Sequence, residues 1–292
     1  MKKYLMLLML LPVTLYSTEK ADSLKSWNFG GLASFNMSQV SLTNWSAGGR
    51  SSSSGVAFIN VFENYKKDNI SWENSLNMGY GLLKEQDNAV VKSNDKFELN
   101  SKFGLKKTEK LYLSSLFNFK TQFAPGYFYP NTIDPISRFM APGYLTLALG
   151  IDYKPNKMIS IFISPLTDKT TFVCDTTLSN AGAFGVTPGE KVRCEIGSYV
   201  KMEIKAEIMK NVNLSTQVNF FSNYIDHPEN IDINWDFLLN MKINNFLSAN
   251  LITNMIYDDN IKTVKDNNGV NEMRGARIQF KEMFGLGLNF KF

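Results

Sequence analysis

Ile70-Ser71-Trp72-Glu73-Asn74-Ser75-Leu76-Asn77-Met78-Gly79-Tyr80-Gly81-Leu82-Leu83 decides the fold class. Ile70, Trp72, Leu76, Met78, Tyr80 and Leu82 alternate with Ser71, Glu73, Ser75, Asn77, Gly79 and Gly81, so one face is apolar and the other polar or small. Side chains of an extended chain point to opposite faces with a period of two, and this stretch is a β-strand with one greasy side. The pattern returns at Val200, Met202, Ile204, Ala206 and Ile208, and again from Ile231 to Ile243.

A soluble sandwich also alternates, so the connections between strands carry the next step. Short polar turns are predicted at 66–69, 107–110, 154–157, 210–211 and 244–245. Between them, in rotation, fall long connections at 43–55, 84–95, 124–143, 165–197, 223–230 and 258–274. Short turns on one side and long loops on the other mark an outer-membrane barrel. Twelve strands follow, near 29–41, 56–65, 70–83, 96–106, 111–123, 144–153, 158–164, 198–209, 212–221, 231–243, 246–257 and 276–292. The predicted fold is an all-β, closed antiparallel transmembrane barrel of about 12 strands, with short periplasmic turns and long extracellular loops. It must close, because hydrocarbon offers no water to unpaired backbone groups. On the last strand Ile278, Phe280, Phe284, Leu286, Leu288, Phe290 and the terminal Phe292 share one face, an ending of the kind read by outer-membrane assembly machinery.

At the other end, Lys2 and Lys3 precede an apolar run from Tyr4 to Leu15, followed by Ser17 and Thr18. That is the layout of a signal peptide. Residues 1–18 are expected to be removed, leaving 19–292 as a single barrel domain in the outer membrane of a Gram-negative cell. Losing Lys2 and Lys3 reduces 31 basic residues to 29 against 27 acidic ones, a nearly neutral balance that argues against nucleic acid as a partner. The expected partners are outer-membrane lipid, the assembly machinery during biogenesis and, as an alternative role, an envelope protein.

Several stretches resemble an uncharacterised Bacteroidetes-type outer-membrane barrel family, a domain of unknown function. They include Thr43-Asn44-Trp45-Ser46-Ala47-Gly48-Gly49, the strand from Ser71 to Gly81, Phe117 to Phe123, Phe139 to Leu145, Ile163 to Thr167 and Asn230 to Asn240. The resemblance implies the barrel fold and supplies no catalytic residue.

Chemistry is therefore sought in the lumen and loops. The eighth strand turns Lys201, Glu203, Lys205 and Glu207 to its polar face, with Arg193 and Glu195 upstream. Other predicted lumen residues are Lys96, Glu98, Lys102, Lys120, Asp232, Asp236, Lys242, Arg277 and Lys281. Mixed charge of this kind lines a wet channel or pairs across strands and fills the interior, since charge without water or partners is costly. Twelve strands lie between the filled interior of about eight and the aqueous channel of about sixteen. A passive small-solute pore is the leading expectation, and a plugged structural barrel or complex subunit the alternative.

Among loop residues, Tyr127 and Tyr129 belong to an aromatic cluster expected to pack as a girdle, and Arg138 is the anion-contacting candidate if its loop enters the lumen. Cys174 and Cys194 share the predicted 165–197 loop of an exported chain, and a disulfide is expected. No metal or other cofactor is expected. A membrane-embedded hydrolase would need His227, the only histidine, which stands in Asp226-His227-Pro228 on a loop. No Gly-x-Ser-x-Gly nucleophile motif accompanies it, and the chain is expected not to be an enzyme.

Overall fold

In the computed structural model, which describes residues 26–42, 50–86, 88–267 and 270–292, twelve antiparallel strands form one closed barrel. They are β1 (Trp27–Val40), β2 (Ser52–Lys67), β3 (Ile70–Glu85), β4 (Val91–Lys106), β5 (Leu111–Thr121) and β6 (Gly143–Tyr153). Then come β7 (Ile159–Phe172), β8 (Val192–Met209), β9 (Val212–Asn223), β10 (Ile231–Lys242), β11 (Leu247–Tyr257) and β12 (Gln279–Lys291). Each strand pairs with the next, and β12 returns to β1 in the register Leu32↔Lys291 to Met37↔Leu286. The predicted signal peptide at 1–18 and the Thr43 to Gly49 stretch lie outside the described residues.

Closure is completed at the chain end. The Gly31 amide donates to the Phe292 carbonyl at 2.8 Å, and the Phe292 amide donates back to Gly31 at 3.1 Å. A Cβ on Gly31 would lie 2.3 Å from the Phe292 ring and 2.9 Å from the Asn60 carbonyl oxygen, so the glycine leaves room for the Phe292 ring at the seam.

Period-two alternation sorts every wall strand into a lumen face and an outer face. Outward go Phe29, Leu113, Leu149, Ile163, Phe284 and Phe290, each about half exposed or more. An apolar surface this extensive suits bilayer hydrocarbon and would aggregate in water. Trp27 meets Tyr65 at 4.9 Å and Trp72 at 6.3 Å between ring centroids, an aromatic cluster at the short-turn end. No helix among the described residues is long and apolar enough to cross a membrane.

The largest departure from the sequence reading is around Pro165. The seventh strand was expected to stop at Ser164, and a proline cannot donate to a sheet ladder. Instead β7 runs on to Phe172, and β8 starts at Val192 rather than 198. The register shifts between Leu149 and Ile151 against β6 and between Gly197 and Tyr199 against β8, so Pro165 occupies a bulge inside the wall. The Ser164 hydroxyl donates to the Leu149 carbonyl at 2.7 Å, and the Tyr224 hydroxyl satisfies the Pro165 carbonyl at 2.8 Å. A Cβ at Gly150 would sit 2.1 Å from the Ile163 carbonyl oxygen, so β6 can close on the bulge only against a glycine.

The extension of β7 and β8 also overturns the disulfide. Cys194 is paired with Thr170, whose hydroxyl contacts its Sγ at 3.6 Å. Cys174 lies four residues farther along, roughly 13 Å away at the strand rise, whereas a disulfide needs Cα atoms within about 7 Å. Both thiols are free and exposed. Alkylation of the refolded barrel without reductant should add two adducts by intact mass; zero adducts would restore the crosslink.

Candidate functional site

Inside the barrel, the lumen faces of the strands converge in three charged groups. At the short-turn end, Lys102 on β4 meets Asp152 on β6 at 2.8 Å and Glu73 on β3 at 3.4 Å. Lys154, just past β6, joins Glu73 at 2.5 Å and Asp152 at 3.4 Å. Asp152 is 1% exposed and also accepts from the Ser160 hydroxyl at 2.6 Å. On β8, two strands from β6, Lys205 pairs with Glu203 at 2.5 Å.

Farther in lies a waist. Glu98 on β4, 4% exposed, receives Lys96 at 2.9 Å, Lys120 on β5 at 3.3 Å and the Asn118 amide at 3.0 Å. Lys96 also reaches Asp236 on β10 at 4.0 Å, and Asp236 accepts from the Asn254 amide at 2.5 Å. Lys281 on β12 donates to Asn94 on β4 at 2.6 Å.

The Lys96 to Asp236 contact sets the shape of the lumen. In the ring order β4 and β10 stand six strands apart, on opposite walls. A circular barrel of twelve strands about 4.8 Å apart and tilted about 40° would be roughly 24 Å across between backbones. A lysine ammonium reaches about 6 Å and an aspartate oxygen about 4 Å from its own Cα, so these two walls are no more than about 14 Å apart. The cross-section is flattened along this axis, and side chains bridge it wall to wall.

Near the long-loop end, Lys169 on β7 gathers Asp232 at 2.5 Å, Asp258 at 3.2 Å and Glu195 at 3.8 Å. Arg193 pairs with Glu195 at 2.9 Å. One side of the interior between the groups is apolar, where Leu116, Ala148 and Phe162 pack with Tyr199.

Above this mouth the 173–191 connection folds on itself. Its short helix α1 (Thr176–Asn180) is capped by Asp175, whose carboxylate accepts from the Leu178 amide at 3.0 Å. Val173, Leu178 and Val186 bury themselves with Ala141 of the preceding loop. Arg138 pairs with the same Asp175 at 3.3 Å, so its guanidinium ties two loops together. Asp175→Ala removes both the cap and the ion pair and should loosen the loop by about 1 kcal/mol. Limited proteolysis within 175–190 should then be several-fold faster than in the parent.

Sequence reasoning thus placed Lys96, Glu98, Lys102, Lys120, Lys201, Glu203, Asp232, Asp236 and Lys281 on a face they do share. Others lie at the strand ends or beyond them. Lys205 and Glu207 are exposed at the turn end, where the Glu207 carboxylate accepts from the Asn211 amide at 3.0 Å. Lys242 is the exposed last residue of β10. Arg277 stands before β12 begins, exposed and beyond the wall, because that strand starts three residues later than expected. Tyr127 and Tyr129 pack together at 6.3 Å, and the Tyr129 hydroxyl accepts from the Lys92 amide, which holds the aromatic loop against β4. Glu73, Asp152, Lys154, Lys169 and Asp258 were not among the expected site residues.

His227 is exposed, and its Nδ1 lies 3.1 Å from Glu229. Its hydrogen bond to Glu229, that carboxylate's charge and that of Asp226 hold the imidazolium above the usual histidine range. Among the described residues no serine hydroxyl is hydrogen-bonded to the ring, so the triad geometry of a hydrolase is not assembled around it.

Residues 37–127 match the model of a family described as protein of unknown function (DUF3078). The match runs from the end of β1 through β5. It agrees with the resemblance drawn from the sequence to a domain of unknown function, and carries no information on a Bacteroidetes-type source. No curated protein matches the chain. Among solved structures, the chain is similar to an outer-membrane channel from Pseudomonas putida F1, with 11% identity and a TM-score of 0.41 over 94% of this chain and 99% of that one. It is also similar to the NanC porin, with 9% identity and a TM-score of 0.42 over 89% and 100%. The translocator domain of the autotransporter NalP from Neisseria meningitidis gives 8% identity and a TM-score of 0.39 over 90% and 87%. These are distant likenesses of chain path, and nothing about cargo follows from them.

Proposed function

We propose that the protein is a narrow outer-membrane channel for small polar solutes, exported by its N-terminal segment and embedded through the apolar outer belt. The observation that carries this reading is the spread of charged side chains along the lumen, from Lys102 and Asp152 through Lys96, Glu98 and Asp236 to Lys169 and Asp232. A barrel built only for stability gains little from such pairs, because apolar residues of similar volume fill an interior as well or better. Charges distributed along an interior keep it wet, and water is the medium in which small solutes pass. The bridge from Lys96 to Asp236 makes the passage narrow and excludes large cargo.

A second reading, a plugged barrel that serves structure or an envelope partner, draws on the same bridge and on Phe162, which is 1% exposed inside the barrel. Swelling of vesicles containing the refolded protein separates the two. The channel reading expects swelling in glycine or arabinose and little in raffinose. Swelling no faster than in empty vesicles for every solute would reject it in favour of the plug.

A further inference from the structure

We infer that the waist of the lumen is a binding site for a small oxyanion, a carboxylate or phosphate group. This rests on the channel reading only for how the anion enters.

The balance of charge differs along the lumen. At the short-turn end, Lys102, Lys154 and Lys205 face Glu73, Asp152 and Glu203, three against three. At the mouth, Lys169 and Arg193 are outnumbered by Glu195, Asp232 and Asp258. At the waist the sign reverses: among the described residues the ammoniums of Lys96, Lys120, Lys201 and Lys281 outnumber Glu98 and Asp236, even with Glu203 shared between Lys201 and the turn-end Lys205.

Two of those lysines lack a carboxylate of their own. Lys201 has Glu203 at 3.9 Å, but Glu203 is held by Lys205 at 2.5 Å. Lys281 donates to the neutral Asn94 oxygen at 2.6 Å and makes no close ion pair among the described residues, with Lys96 and Asp236 both within electrostatic reach. Lys201 keeps only 12% of its side chain exposed, so bulk water does little to screen it. Confined like charges without counter-charge are costly, and an anion from solution relieves that cost without any rearrangement of the wall.

The site also has donor capacity to spare. Each ammonium offers three hydrogens and no acceptor, and the Nδ2 of Asn94, a residue 6% exposed, has no acceptor among the described residues. Ammonium and amide donors converging from opposite walls suit the several oxygens of a carboxylate or phosphate.

The test uses the refolded full barrel and inorganic phosphate as the probe. Isothermal titration in detergent should show saturable phosphate binding to the parent, weakened at least tenfold in the Lys201→Gln/Lys281→Gln double variant and unchanged in Lys242→Gln, at the exposed end of β10 away from the waist. Reversal potentials in a potassium chloride gradient should show anion preference, lost in the same double variant. Retained heat-modifiable migration on gels verifies that each variant is folded, and if the double variant fails this check the single variants Lys201→Gln and Lys281→Gln replace it, each expected to weaken binding several-fold. Absence of saturable binding in the parent, or equal binding in a folded waist variant, overturns the site. Conduction without anion preference overturns it while leaving the channel reading intact. A silent barrel whose phosphate binding is lost in the waist variants removes the channel reading and supports the site.

Discussion

Replacing Asp236 with alanine is expected to raise single-channel conductance by about two- to threefold, the largest functional change available from one side chain. Lys96 and Asp236 face each other at 4.0 Å from walls that the strand order sets on opposite sides of the barrel. Without the aspartate, Lys96 retains Glu98 at 2.9 Å and folds back along its own strand, so the bridge opens instead of collapsing elsewhere. The Asn254 amide loses its acceptor and turns to water. The same change removes one of two carboxylates at the waist, so selectivity should shift further toward anions as conductance rises. Lys96→Ala opens the bridge from the other side and leaves Glu98 to Lys120 at 3.3 Å, so its conductance should rise while its anion preference falls. Equal conductance in parent and both variants would mean that the bridge is not the narrowest point.

Replacing Asp152 with alanine is expected to destabilise the barrel by about 3–5 kcal/mol, nearer the lower figure. Asp152 is among the most enclosed charged residues, and its carboxylate holds Lys102, Lys154 and the Ser160 hydroxyl at once. Truncation leaves the Lys102 ammonium inside the barrel with Glu73 at 3.4 Å and the Ser160 hydroxyl at 3.3 Å as remaining partners, which is why the loss is not complete. Removing both charges together, as Lys102→Met with Asp152→Leu, should recover most of the stability, since the penalty lies in the stranded ammonium. Urea unfolding of the vesicle-inserted barrel, followed by tryptophan fluorescence, reads both variants. A single variant within about 1 kcal/mol of the parent would show that water screens the cluster and that Asp152 is not a structural anchor.

The architecture was legible because a barrel repeats one rule twelve times. Alternation from Ile70 to Leu83 names both faces of β3, and the rotation of turns such as 107–110 with long loops counts the strands without any tertiary information. The lumen stripe was legible for the same reason, and Lys201 and Glu203 point where the alternation sends them. The strand runs past Pro165, a residue that normally ends one, because the bulge that accommodates it depends on Gly150 of the adjoining strand, a contact no local pattern reveals. Ending the strand at Ser164 hid Lys169 in a supposed loop and drew Cys174 and Cys194 into a supposed disulfide. Asp152 could have been found, since Ala148, Gly150 and Asp152 alternate with Leu149 and Ile151, but one carboxylate at a strand end carries little signal. The flattening of the barrel has no sequence signal at all, because it comes from side chains meeting across strands 140 positions apart, as Lys96 and Asp236 do.

The most direct measurement is the current through single copies of the refolded, unmodified barrel in a planar lipid bilayer. A charged lumen bridged at its waist predicts small, discrete and steady steps, below those of a wide porin and reversing on the anion side in a salt gradient. A barrel shown to be folded and inserted that passes no current would contradict the channel account.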